Sequence, residues 1–133
     1  MVLAVGRLRP PFADDVQHYR RLLARHARLE LIEVREDERV ERRLPERAFV
    51  SLLAADGQQL DSVGLSRFLE ERRQSARDLW FVVGGPYGTE LPRADHRLSL
   101  GPMTLPHGMA RAVLIEQLYR TATILSGHPY HRA

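Results

Sequence analysis

Side chains able to do chemistry gather near the C-terminus of this 133-residue chain. His128-Pro129-Tyr130-His131-Arg132 puts two imidazoles, a phenol and a guanidinium within five positions. Such groups serve proton transfer near neutral pH, stacking on a base beside a phosphate contact, or metal ligation. His128 and His131 lie three apart, and His107 is a possible third ligand. Without a cysteine or a close carboxylate, that set argues against zinc. A terminal segment also frays unless it is tied down, so disorder is the alternative for this tail. Ahead of it, Glu116 and Arg120 stand at i, i+4 on a predicted helix, the spacing of an ordinary surface ion pair. Glu116 is nonetheless the sole acid after Asp95.

Two loops offer backbone rather than side chains. Gly84-Gly85-Pro86-Tyr87-Gly88 follows an apolar strand directly, where α/β folds place ligand loops. It lacks the GxGxxG spacing of a dinucleotide site and the Gly-Lys-Ser/Thr of a phosphate loop, so a plain tight turn fits it equally. Gly101-Pro102-Met103-Thr104-Leu105-Pro106 is apolar, with little but main chain to donate. It suits an uncharged flat group, or is apolar because it is buried.

The elements that must position these residues alternate. Val2–Val5 reads as a strand ended by Gly6. Asp14–Arg25 reads as a helix with Val16, Tyr19, Leu22 and Leu23 on one face. Leu29–Val34 and Ala48–Leu53 read as strands, the latter closed by a turn at Asp56-Gly57. Ser62–Gln74 is a helix capped by Asp61 or Ser62, with Leu65, Phe68 and Leu69 inward. Leu79–Val83 is continuously apolar, as a central parallel strand covered on both faces should be. A short helical piece near Pro92–His96, a strand Leu98–Leu100 and a long helix from Pro106 to Ser126 complete an α/β fold with a mainly parallel sheet. The last helix is apolar on more than one stripe, which predicts a second copy of the chain as partner. Glu33–Arg47 is charged at 11 of 15 positions with signs nearly balanced, and reads as a solvated loop or short exposed helix.

Composition narrows the chemistry. The length is that of one domain, 1–133. With no Cys, disulfides, CxxC metal sites and thiol nucleophiles are excluded. All 20 basic residues are Arg, so lysine bases and Schiff bases are excluded too. No stretch approaches the roughly 18 apolar residues of a membrane span, and the N-terminus has no basic region before its apolar run, so a soluble cytoplasmic protein is expected. The net charge of +3 sits in residues 97–133, where Arg97, Arg111, Arg120 and Arg132 face Glu116 alone. A neutral scaffold followed by a positive segment with His, Tyr and Arg is what RNA contact requires.

The stretch FVVGGPYG at 81–88, followed by LSLGPMTLPHGMARAVLIEQLYRTATILSGHPYHRA at 98–133, resembles the RlmH family. These are SPOUT-class enzymes that methylate N3 of a pseudouridine in large-subunit ribosomal RNA. LAVGRLRP and LELIEV near the start resemble that family's first two strands. The resemblance implies a homodimer with a C-terminal trefoil knot over 84–133, and action on 23S ribosomal RNA in the assembled ribosome. It implies S-adenosylmethionine held by Leu53, Gly84, Gly101, Pro102, Met103, Thr104, Leu105 and Pro106. His131, Glu116, Arg120 and Tyr130 then become the catalytic candidates, with His131 or Glu116 as base. His107, Tyr130 and Arg132 become RNA contacts, and neither metal nor membrane is implied. The chain departs from the family in its shorter connector at 33–47, in Ala54 where an acid is common, and in Gly127 where Asn is common. Those departures define the alternative, a knotted RNA-binding protein without catalysis.

Overall fold

A computed structural model describes residues 1–8, 10–35, 39–84 and 90–132. Val2–Val5 (β1), Leu31–Val34 (β2), Phe49–Gln59 (β3), Leu79–Val83 (β4) and His96–Ser99 (β5) form one sheet in the order β2-β1-β4-β3-β5, with every neighbouring pair parallel. β4 lies at the centre, and Trp80 to Val83 are buried, as its unbroken apolar run predicts.

Alternation along the strands sorts the core into two layers. Val2, Ala4, Phe81, Val83 and Leu98 face the helices Phe12–Leu23 (α1), Ser62–Arg73 (α2) and His107–Ser126 (α3). Leu3, Val5, Val50, Leu52, Trp80 and Val82 face the other way. No long helix covers that second face among the described residues. Val40 and Leu44, in and after the 3-10 turn Val40–Arg43, cover it together with Ala48 and Leu91. The charged connector therefore buries two apolar residues that its composition hides.

Two arginines tie this short cover down. Arg93 donates to the carbonyls of Pro45 (3.1 Å) and Ala48 (3.1 Å), and Arg77 to those of Arg47 (2.9 Å) and Ala48 (2.8 Å). Asp95 accepts from both Arg77 and the Val50 N–H.

Asp61 caps α2, its carboxylate accepting from Gly64 N–H at 2.7 Å. Helix α3 packs between α1 and α2 on top of the sheet. Its several apolar stripes are thus largely covered within the chain, and that pattern alone does not require a second copy.

Three local expectations fail. Asp56-Gly57 is not a turn: β3 runs on to Gln59 and pairs with β5 after a register shift between Leu53 and Gln58. A Cβ at Gly57 would stand 2.6 Å from the Arg97 carbonyl carbon, so glycine serves close approach here rather than a reversal. Residues 92–95 form a turn and bend instead of a helix, and the last strand starts at His96, not Leu98.

Candidate active site

Parallel strands deliver all their outgoing loops to one edge, and a ligand site belongs there. Beside the irregular middle of β3, where its pairing with β5 shifts register, and at the C-terminal ends of β4 and β5 lies a cleft of about 770 Å³. Of the predicted cofactor residues, Leu53, Gly84, Gly101, Met103, Thr104, Leu105 and Pro106 line it, as does the predicted RNA contact His107. Pro102 is exposed and does not line it. Gly85 to Gly88 fall outside the described residues.

The walls come from three pieces of chain. The displaced part of β3, Ala54 to Asp56, forms one; Val83 and Gly84 form a second; the loop from Leu100 to His107 forms the third. Gly101 has φ of 135°, a backbone conformation that side chains rarely adopt, and nothing crowds its Cβ position. Glycine is required there by conformation rather than by space. The buried Ser99 hydroxyl binds two of the walls together: it accepts from Gly101 N–H (3.0 Å) and lies within donating distance of the carbonyls of Ala55 (3.0 Å) and Gly101 (2.9 Å).

A second polar lock holds the displaced strand. His96 bridges the Ser51 hydroxyl (Nδ1, 2.9 Å) and the side-chain amide oxygen Oε1 of Gln58 (Nε2, 2.8 Å), and stacks on Phe68 at 4.6 Å. Burial, and then the Arg72 charge, push its pKa down, which keeps the ring neutral. Neither Ser99 nor His96 was a candidate from sequence, because each acts through a partner more than 35 positions away.

The lining suits a nucleoside. Leu53, Val83, Leu98, Leu100, Leu105 and Ala110 supply apolar surface, and the glycines leave main-chain groups open to a base or ribose. The cleft thus fits the adenosyl part of S-adenosylmethionine.

The catalytic candidates form a second cluster, on α3 and the tail. Arg120 Nε donates to Glu116 Oε1 at 2.8 Å, and its Nη1 lies 3.1 Å from His131 Nδ1. The same guanidinium stands 4.9 Å over the Tyr130 ring, which packs edge-on against Tyr119 at 4.5 Å. The tail is therefore docked, not frayed. Burial, the nearby Glu116 charge and a hydrogen bond to Tyr19 push the Tyr130 phenol up to about 12.

One chemical consequence follows for His131. A guanidinium can only donate, so Nδ1 accepts and the neutral ring carries its proton on Nε2. In this arrangement His131 offers a donor to its surroundings. His128 packs edge-on against His26 at 5.6 Å, and Arg132 is exposed with no ion pair among the described residues.

Along α3, at ~1.5 Å per residue, Glu116 and Arg120 stand ~9 and ~15 Å beyond the cleft residue Ala110. One chain thus assembles both groups of candidates but keeps them apart.

The positive segment dissolves in space. Arg97 pairs with Asp56 (2.7 Å), Arg120 with Glu116, and Arg111, fully buried, with Glu33 (2.6 Å). Arg111 also donates to the carbonyl of Gly6 at 3.0 Å, and Glu33 accepts from Leu8 N–H at 2.8 Å. Partial burial pushes the Glu33 carboxyl up, but the Leu8 N–H and Arg111 outweigh it and hold it below its ordinary value. Arg111 thereby fastens α3 to the ends of β1 and β2, a structural role its place in a cationic segment conceals.

Among the described residues, no group of three His, Asp or Glu is placed to hold a metal, and no helix is long and apolar enough to cross a membrane.

The chain is 40% identical over 150 aligned positions to the ribosomal RNA large subunit methyltransferase H of Gemmatimonas aurantiaca, covering 98% of this chain and 97% of the relative. Proteins of the same name from Gluconacetobacter diazotrophicus and Stenotrophomonas maltophilia are 43% and 39% identical; the alignments cover 99% of this chain in both cases, and 96% and 97% of those relatives. The family model described as a predicted SPOUT methyltransferase matches residues 1–131. With that span and these identities, the chain belongs to the SPOUT methyltransferase family.

Proposed function

We propose that the protein is an S-adenosylmethionine-dependent methyltransferase acting on N3 of a pseudouridine in large-subunit ribosomal RNA, on the assembled ribosome in the cytoplasm. The observation that carries this reading is the cleft, in which three separate stretches of sequence converge at one sheet edge on a surface fit for a nucleoside. The names of the relatives supply the RNA class.

Leu53, Gly84 and the 101–106 loop would hold the cofactor by backbone groups and apolar contact. When bound, it supplies an electrophilic methyl group. The chain's own residues must orient the target base and accept its N3 proton. Glu116, a carboxylate with acceptor capacity only, is the proton acceptor, and Arg120 fixes its direction. His131 Nε2–H and Arg132 donate to a uracil carbonyl or a phosphate. Tyr130 stays protonated and serves as a stacking surface.

The separation of cleft and cluster supports a homodimer in which one copy's cluster completes the other's cleft. The outward side of α3 fits this role: Met109 and Leu125 are exposed, and Val113 and Ile124 partly so. The trefoil threading of residues 84–133 belongs to the same reading.

Incubation with radiolabelled S-adenosylmethionine and ribosomes from a strain lacking the activity, followed by mapping of the labelled nucleotide, tests it. Label on one pseudouridine of the large subunit is expected. Cofactor binding without transfer to any particle would identify a binding module instead.

A further inference from the structure

The apolar walls and open main chain of the cleft account for an adenosine, but not for a charged amino-acid end. A charged group left unpaired at an apolar surface is costly, so the cleft needs a place for one. Among its described lining residues, Asp56 and Arg97 are the only acid and the only arginine, and they stand together.

Their placement is set by main chain. Asp56 rides on the displaced segment of β3, and Gly57 beside it touches the Arg97 backbone so closely that a Cβ would stand 2.6 Å from it. The two side chains meet through one bond, Arg97 Nη2 to Asp56 Oδ1 at 2.7 Å. Among the described residues, Arg97 Nη1 and Nε have no partner. The Arg97 hydrogen bond holds the Asp56 carboxyl below its ordinary range, so both groups are charged at neutral pH. The result is a positive and a negative group, side by side at the open rim of the cleft, with donors to spare.

We infer that Asp56 and Arg97 form a recognition site for an α-amino carboxylate zwitterion, Arg97 taking the carboxylate and Asp56 the ammonium of the cofactor's amino-acid end. This inference rests on the cofactor reading above and assigns the specificity of that cleft to two residues outside its loop motif.

Calorimetric titration of the intact protein with S-adenosylhomocysteine and with 5′-methylthioadenosine, which lacks the amino-acid end, separates the possibilities. Arg97→Ala and Asp56→Ala should each weaken the first ligand about tenfold, as loss of a charge-assisted hydrogen bond does, and leave the second within about twofold. The exchanged pair Asp56→Arg with Arg97→Asp keeps an ion pair but reverses its direction; it should bind S-adenosylhomocysteine no better than the single variants. Equal weakening of both ligands, or recovery in the exchanged pair, would show that the pair only closes the strand and would overturn the inference. A wild-type protein that binds neither ligand would overturn the cofactor reading and this inference with it.

Discussion

The cleft and the α3 cluster are made of opposite materials. Apart from the Asp56–Arg97 pair and His107, the cleft is main chain, glycine and aliphatic surface, held in shape by hydroxyl and imidazole groups behind its walls. The cluster is charged and aromatic side chain throughout, with a single guanidinium touching a carboxylate, an imidazole and a phenol ring. A backbone site recognises shape and tolerates few changes of conformation; a side-chain site moves charge and protons and tolerates few changes of residue type. The difference suits holding a nucleoside in one place and activating a base in another.

The strongest way to erase this contrast is to damage what both regions share. Arg111→Ala removes the tie from α3 to the strand ends, empties a fully buried volume and leaves Glu33 without its cation. Stability should fall by about 3 kcal/mol, measured by denaturant unfolding, and cofactor affinity and transfer rate should fall together. Folding holds the Glu33 carboxyl below its ordinary 4.5, so its contribution is present above that pH and is lost as pH falls further. In Arg111→Ala this acid-side loss should shrink.

A cut confined to the cluster comes next. Arg120→Ala should lower the single-turnover methylation rate about a hundredfold, the scale of a general base left without the group that aims it. Cofactor affinity should stay within twofold. A loss of affinity of similar size would mean that the two regions are one unit.

The converse cut is Gly57→Ala. Its methyl group pushes the displaced part of β3 off β5, costing about 2 kcal/mol by overpacking. Cofactor binding should weaken, while the docked tail, reported by the high titration of Tyr130, should not change.

These two regions also differ in how far the sequence discloses them. Helical spacing foretells the Glu116–Arg120 pair because it is a local fact, and the unbroken run Leu79–Val83 foretells a central strand for the same reason. The loops of the cleft are legible as candidates, but their convergence depends on the strand order. The displaced segment at 54–57 is hidden, since Asp-Gly is a strong turn signal and only the nearby Arg97 backbone turns it to another use. Arg111 is hidden more deeply: its partner lies 78 positions away, so a count of charges along the chain assigns it to a cationic surface when it belongs to the core.

The smallest expected effect tests whether the cluster exists within one chain. Tyr130 is partly buried under Arg120 and against Tyr119, and burial raises its phenol to about 12 from an ordinary 10. Folding favours the protonated phenol, so this contribution is present below pH 10 and is lost as pH rises from there toward 12. Phenolate absorbance should show a late step that vanishes in Tyr130→Phe, with a stability cost at neutral pH of no more than about 1 kcal/mol, that of one hydroxyl bond. If Tyr130 instead titrates at its ordinary value, the tail is not docked on its own α3. The cluster would then assemble only against a second copy of the chain, and the two regions would differ not only in material but in whether one subunit suffices to build them.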